Sequence, residues 1–429
     1  MVLLPVACTG ASSSSARPTA TATSQSPPSP ASPSFSGTGP LAEGPGPVVI
    51  APPTGGSFLI RGAYPRTPSP CKHHVAAKLI ARYPGELKIA RASDGTLGIT
   101  LTLPFERYLD GLAEVPPTWP AAALEAQAIA ARSYALAETG WHGPEGATLP
   151  TPICASTSCQ VYGGIPVPPE PAIRRWYAAV RRTAGQVLLD GSRPADTVYF
   201  STSNGHTYGN DQVFGSAPLP YLRPVPEHDD GASPESHWRV KLPFADLTRF
   251  LRAAGDWPAG PSISSARVAG DAVTLSGGST TRSLGIDTVR DDVNAWAECL
   301  EPGRYPSASW TGTQLPTTIP SGWLTDRATP TGLVVRGRGW GHGVGMVQWG
   351  AYGKARRGLS AAQILAYYYG GLRPAPYPEP GTIHVEVASG LTSLRIIPSA
   401  SGTTVDGEGV AGRWLVVTGG DAITVVSRA

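Results

Sequence analysis

The sequence predicts an α+β protein, with one two-lobed domain over 57–379, an inserted α/β lobe at about 226–321, and a small β-rich appendage over 380–429. Three observations predict it. Leu97, Ile99, Leu101 and Leu103 alternate with small or polar residues behind an Asp94-Gly95 turn, which is the pattern of a hairpin. The run from Ala121 to Glu138 consists almost wholly of strong helix formers. From "TIHVEV" onward only short strands and turns can be read.

Taken in order, "MVLLPVAC" is a short apolar run ending in Val6-Ala7-Cys8. It reads as the end of a lipoprotein-type signal over 1–8, lacking a charged start and most of an apolar core. That reading makes Cys8 a lipid anchor and the protein extracytoplasmic. Residues 9–56 are rich in Ser, Pro and Ala, bury too little to order themselves, and are expected to form a tether. Pro120 suits the first turn of the alanine-rich helix, whose small side chains favour close backbone packing. "TAGQVLLDGSRPADTVYFSTSNGHTYG" reads as a second hairpin running into a polar loop. The inserted lobe is expected to hold the helices "FADLTRFLRAAG" and "DTVRDDVNAWAECL" with short strands between them. In "LSAAQILAYYYGG", Ser360 and Gln363 have capping-box spacing and Gly370 can end the helix.

Composition excludes several classes. Among 429 residues, 34 basic and 31 acidic side chains leave a net charge of +3 without charge runs, so nothing points to nucleic acid. No stretch reaches the roughly 18 apolar residues of a membrane span, leaving Cys8 as the membrane contact. Without Cys8 four cysteines remain, suited to two disulfides in an oxidising compartment. Cys154 and Cys159 are close enough to bridge locally, which would leave Cys71 with Cys299; the sequence leaves that connectivity open. No cofactor is expected. The alternative is zinc held by His142, Cys154 and Cys159, whose imidazole and thiolates are its usual ligands.

"GRGWGHGVGMVQWGAYG" places glycine at every second position from Gly337 to Gly345. In an extended chain this bares one face and lines the other with Arg338, Trp340, His342 and Val344. A dinucleotide turn would be followed by a helix and then an acid about 20 residues on, which is absent. The expectation is part of a cleft floor that another backbone or a flat ligand can approach closely, with His342 and Gln348 bonding around it to fix the loop or the ligand. Trp340 and Trp349 are candidates for stacking.

Glu114 stands among Leu112, Ala113, Val115, Pro116, Pro117 and Trp119. A carboxylate in apolar company has its pKa raised, which suits a general acid. The plainer alternative is an acid that caps the following helix. "YLDGLAEVPPTWPAAALEAQAIAARSYAL", "CQVYGG", "VYFSTSNGHT", "PYLRPV" and the glycine stretch occur in one order from about Phe58 to Gly371. In this the chain resembles the stage II sporulation protein D (SpoIID/LytB) family. The resemblance implies a lytic transglycosylase acting on peptidoglycan glycan strands, with Glu114 as its single acid and base. It also implies substrate contacts from Tyr199, Ser201 and Thr207 in the middle motif, and from His342 and Gln348. The family's "SEMP" is "AEVP" here, and His206 replaces a small residue. Ordinary glycosidases need two carboxylates, and no second acid is apparent in the matched motifs. The rival reading is a non-catalytic wall-binding module, or a modifier of other cell-wall hydrolases such as an amidase. No G-x-S-x-G elbow supports a serine hydrolase.

Overall fold

The structure, a computed structural model, describes residues 40–428 apart from 64–80, 142, 144–150, 157, 167–170, 302, 306–307, 311–312, 316–317 and 322–323. The proposed anchor at Cys8, most of the tether, Cys71 and His142 lie outside the described residues, as does the Cys299 side chain.

The hairpin strands Glu86–Arg91 and Leu97–Pro104 pair antiparallel, with Asp94 Oδ1 accepting from the Thr96 backbone N–H at 2.9 Å to close the turn. Leu97, Ile99, Leu101 and Leu103 all point inward, none more than 1 % exposed. This hairpin is the middle of a seven-stranded sheet. Val48–Ala51 joins it on one side and Thr382–Leu391 on the other, and Ile153–Cys154 forms the edge beyond Thr382–Leu391. A second seven-stranded sheet is built from Ser57–Ala63, Ser393–Pro398, Trp414–Thr418, Ile423–Arg428 and three shorter strands. Both sheets bury one face in a common core.

The α+β class is therefore present, but two boundaries change. The strands from Thr382 onward are not an appendage. Ile383, Val385, Leu394, Ile396, Val417 and Val425 are fully or almost fully buried, and their strands lie inside both sheets. Order also begins before Ser57, because Val48 and Ile50 alternate inward and Ala42–Gly44 pairs with Ile423–Arg428. Alternation marks a strand with one buried face, but it does not say which distant strand covers it.

The alanine-rich helix Ala121–Glu138 starts directly after Pro120, and from Ala123 to Leu136 only Glu125 is not buried. Arg132 is completely buried on it and holds Glu106 at 2.9 Å, the Thr183 hydroxyl and the Val180 carbonyl. Its Nε lies 2.5 Å from Glu379 Oε1, an ion pair off the angle of a hydrogen bond. The helices Gln348–Arg356 and Ala361–Tyr368 pack on the same helix. The second starts with the expected reciprocal cap between Ser360 and Gln363. None of the described helices is long and apolar enough to cross a membrane.

The inserted lobe has its own core, including Leu242, Phe250, Leu275, Val293 and Val335. Its limits differ from 226–321. Gly332–Gly337 is the middle strand between Trp238–Pro243 and Leu324–Thr329, so the lobe runs on to the start of the glycine stretch. Residues before Trp238 instead bind the main domain. Lys354 Nζ is buried against Glu227 at 3.0 Å and Asp229 at 3.0 Å, and Asp230 accepts from the Ser203 N–H and hydroxyl at 2.7 Å each.

Candidate active site

Glu114 sits on the loop after the short helix Phe105–Asp110, and "CQVYGG" fixes where that loop runs. Ala113 N–H donates to the Val161 carbonyl and Gly163 N–H to that of Gly111, both at 2.9 Å, around a Leu112–Tyr162 bridge. A side chain at Gly111 would strike the Tyr162 ring, with its Cβ at 2.4 Å. The Cys154–Cys159 disulfide, with Cα atoms 5.5 Å apart, closes the turn that delivers Gln160 and Val161. Val161 N–H then donates to Glu114 Oε1 at 2.7 Å. Glu114 does not cap the next helix, which has Pro120 at its N-cap and no side-chain cap.

Burial pushes the Glu114 carboxyl up to about 7, against hydrogen bonds from Val161 N–H, the Tyr199 hydroxyl and Gln348 that favour its charged form. None of these influences is a carboxylate. Near neutral pH the group is thus close to half protonated, able to give a proton and take one back.

The opposite wall comes from the middle motif and the glycine stretch. Tyr199–Phe200 runs parallel to Met346–Val347, with Tyr199 opposite Met346. The alternating glycines are not the bare face of an extended strand, which corrects that part of the expectation. Gly339, Gly341, Gly343 and Gly345 all have positive φ, between 75° and 112°. What approaches them closely is this protein itself: a Cβ at Gly341 would lie 2.7 Å from Phe200 Cβ, and one at Gly345 would lie 2.0 Å from the Val198 carbonyl oxygen. Trp340 exchanges both backbone hydrogen bonds with Thr202, at 2.8 and 3.0 Å, and Tyr208 N–H donates to the Gly343 carbonyl at 2.8 Å. The stretch is a folded ribbon laced to 199–208.

His342 serves that lacing. A carbonyl only accepts, so Nε2 carries the proton it donates to the Tyr199 carbonyl at 2.9 Å, while Nδ1 accepts from Val344 N–H at 3.2 Å. Burial pushes its pKa down to about 4, so the ring is neutral. Both nitrogens are committed to backbone, and His342 fixes the ribbon.

Of the residues singled out in the sequence, the structure brings Glu114, Tyr199 and Gln348 together. Gln348 is 7 % exposed and its amide also reaches Gln127 Oε1 at 3.4 Å. Ser201 accepts from the N–H of Trp349, the residue after Gln348, through its carbonyl at 3.1 Å. Thr207 is buried, its hydroxyl accepting from Val225 N–H at 2.9 Å, and acts as a strut. Trp340 is half-buried. Trp349 packs with Trp119 at 4.9 Å and Tyr352 at 5.3 Å between ring centres. Cys154 and Cys159 are bonded to each other, so they are not the thiolate pair of the zinc alternative. Among the described residues no group of three His, Cys, Asp or Glu could hold a metal ion. Sequence reasoning missed Gln160, Gln127 and the buried Lys354 cluster. A Gln between Cys and Val in an otherwise apolar segment was the one available signal for Gln160.

On this α+β scaffold a loop-borne acid is held by a disulfide-closed turn, with Tyr and Gln donors, and offers one carboxyl that can exchange a proton near neutral pH. The family described as SpoIID, Stage II sporulation protein, matches residues 93–189. An uncharacterized protein of Brachyspira hyodysenteriae is 30% identical over 300 residues, covering 69% of this chain and 73% of that one. "Stage II sporulation protein D" of Bacillus subtilis is 26% identical over 293 residues, covering 63% and 74%. "Amidase enhancer" of Bacillus subtilis is 28% identical over 301 residues, covering 62% of this chain but 39% of that protein. The chain belongs to the stage II sporulation protein D family.

Proposed function

We propose that the protein is a lytic transglycosylase that cleaves the MurNAc–GlcNAc bond of peptidoglycan outside the cytoplasm. The observation that carries this is one carboxyl, Glu114, poised near pH 7 with no carboxylate among the groups that act on it. Hydrolysis by the usual routes asks for two such groups. A single one suffices when the nucleophile is the 6-hydroxyl of the muramic acid itself. Glu114 gives its proton to the glycosidic oxygen as the bond to C1 breaks, and the GlcNAc hydroxyl leaves. The carboxylate, now held by Val161 N–H, Tyr199 and Gln348, takes the proton of the 6-hydroxyl as that oxygen bonds to C1. Glu114 is restored without added water. Trp340 and Trp349 are the surfaces on which flanking sugars would stack, and no metal or cofactor is required. The Cys154–Cys159 disulfide favours an oxidising compartment, consistent with a lipid anchor at Cys8.

The test is purified protein on defined glycan strands, with products read by mass spectrometry. Products should end in 1,6-anhydromuramic acid, and Glu114→Gln should lower turnover at least about 10²-fold while glycan binding persists. Reducing ends carrying added water would overturn the transglycosylase reading. The relative named amidase enhancer supports a second reading, a non-catalytic modifier of another wall hydrolase. Unchanged glycan in the first assay, with stimulation of an added amidase, would favour it.

A further inference from the structure

We propose that Gln160 is a positioning residue for this acid, fixing the direction in which the Tyr199 hydroxyl proton points. The claim rests on the proposed role of Glu114, but its geometry does not. Gln160 is fully buried, and its side-chain amide makes three hydrogen bonds. Its Oε1 accepts from the Tyr108 hydroxyl at 2.7 Å, and its Nε2 donates to the Ala131 carbonyl at 3.1 Å and to Tyr199 Oη at 2.9 Å. Turning the amide over would set carbonyl against carbonyl at Ala131, so the orientation is unambiguous. Tyr199 Oη therefore accepts from Gln160, and its own proton is left to serve Glu114, whose charged form it favours. Gln160 also precedes Val161, whose N–H donates directly to Glu114 Oε1 at 2.7 Å. One dipeptide thus supplies a direct donor and an indirect one. After the acid has given up its proton, both favour the carboxylate, and neither needs to reorient.

The test follows Glu114 itself. Protein labelled with ¹³C at the glutamate carboxyls is titrated by NMR, with Glu114→Gln identifying the signal. Gln160→Met, which keeps the length and loses the donors, should raise the Glu114 pKa by about one pH unit, as a lost charge-assisted hydrogen bond would. Tyr199→Phe should raise it similarly, and the double variant should add nothing further, because Gln160 acts through Tyr199. If Gln160→Met does not fold, Tyr108→Phe releases the amide from its far side and should move the pKa in the same direction by less. In turnover, kcat should fall about tenfold with KM within about twofold, and the alkaline limb should move to higher pH. An unmoved titration, or effects that add in the double variant, would overturn the proposal. A moved titration with no turnover in any form would instead sink the enzymatic reading and leave the positioning intact.

Discussion

Glu114 has a pH signature separate from turnover. In an unfolded chain it titrates near its ordinary 4.5, and in the fold at about 7. Below 4.5 it is protonated in both states and contributes nothing to pH dependence. Between the two values the unfolded chain releases the proton and the folded one keeps it, so stability falls as pH rises, and above 7 the penalty is constant. Glu114→Gln removes that penalty. Its melting temperature should pull ahead of the parent's between pH 4.5 and 7 and hold the lead at pH 8, as differential scanning fluorimetry would show. His342 titrates in both proteins and cancels from the difference. A gap independent of pH would mean that the carboxyl is solvated. The raised pKa was legible in the sequence because Leu112, Val115 and Trp119 flank the acid. Its partners came from three distant segments, so their hydrogen bonds were not legible, even where motifs had singled out Tyr199 and Gln348.

At the scale of elements, the glycine ribbon and the helix after it carry the site's rigidity. Gly345 has φ 75° and Val198 against it, whereas Gly358 has φ 92° and open space. Gly345→Val should cost about 3 kcal/mol or more, and Gly358→Ala about 1 kcal/mol from backbone strain alone. Chemical denaturation separates the two, and equal small losses would return the ribbon to an ordinary loop. Lys354→Met leaves Glu227 buried without its cation, and it should cost about 3–5 kcal/mol in the same measurement. The period of two was visible in "GRGWGHGVG", but a bare strand face and a succession of left-handed turns share that period. Only φ tells them apart. The capping box at Ser360 was legible because its chemistry is local.

For the molecule as a whole, the strands after Thr382 decide whether the sheets exist. Thr382–Leu391 covers Leu97–Pro104, and Ser393–Pro398 covers Ser57–Ala63, partners nearly three hundred residues or more away in sequence. A chain ending at Pro380 should lose its cooperative melting transition and precipitate, where loss of a true appendage would leave the transition unchanged. The sequence showed strands there and could not show their neighbours, because pairing over such separations leaves no local trace. One further property follows from the position of the Cys154–Cys159 bond. It spans a separation of only 5 residues, so its loss should cost the fold about 2 kcal/mol. Yet it closes the turn two residues before Val161, whose N–H steadies the acid. Dithiothreitol should therefore leave the melting curve nearly in place while the Glu114 titration broadens and turnover fails. In a thiol-rich medium the chain would stay folded and yet hold its acid loosely.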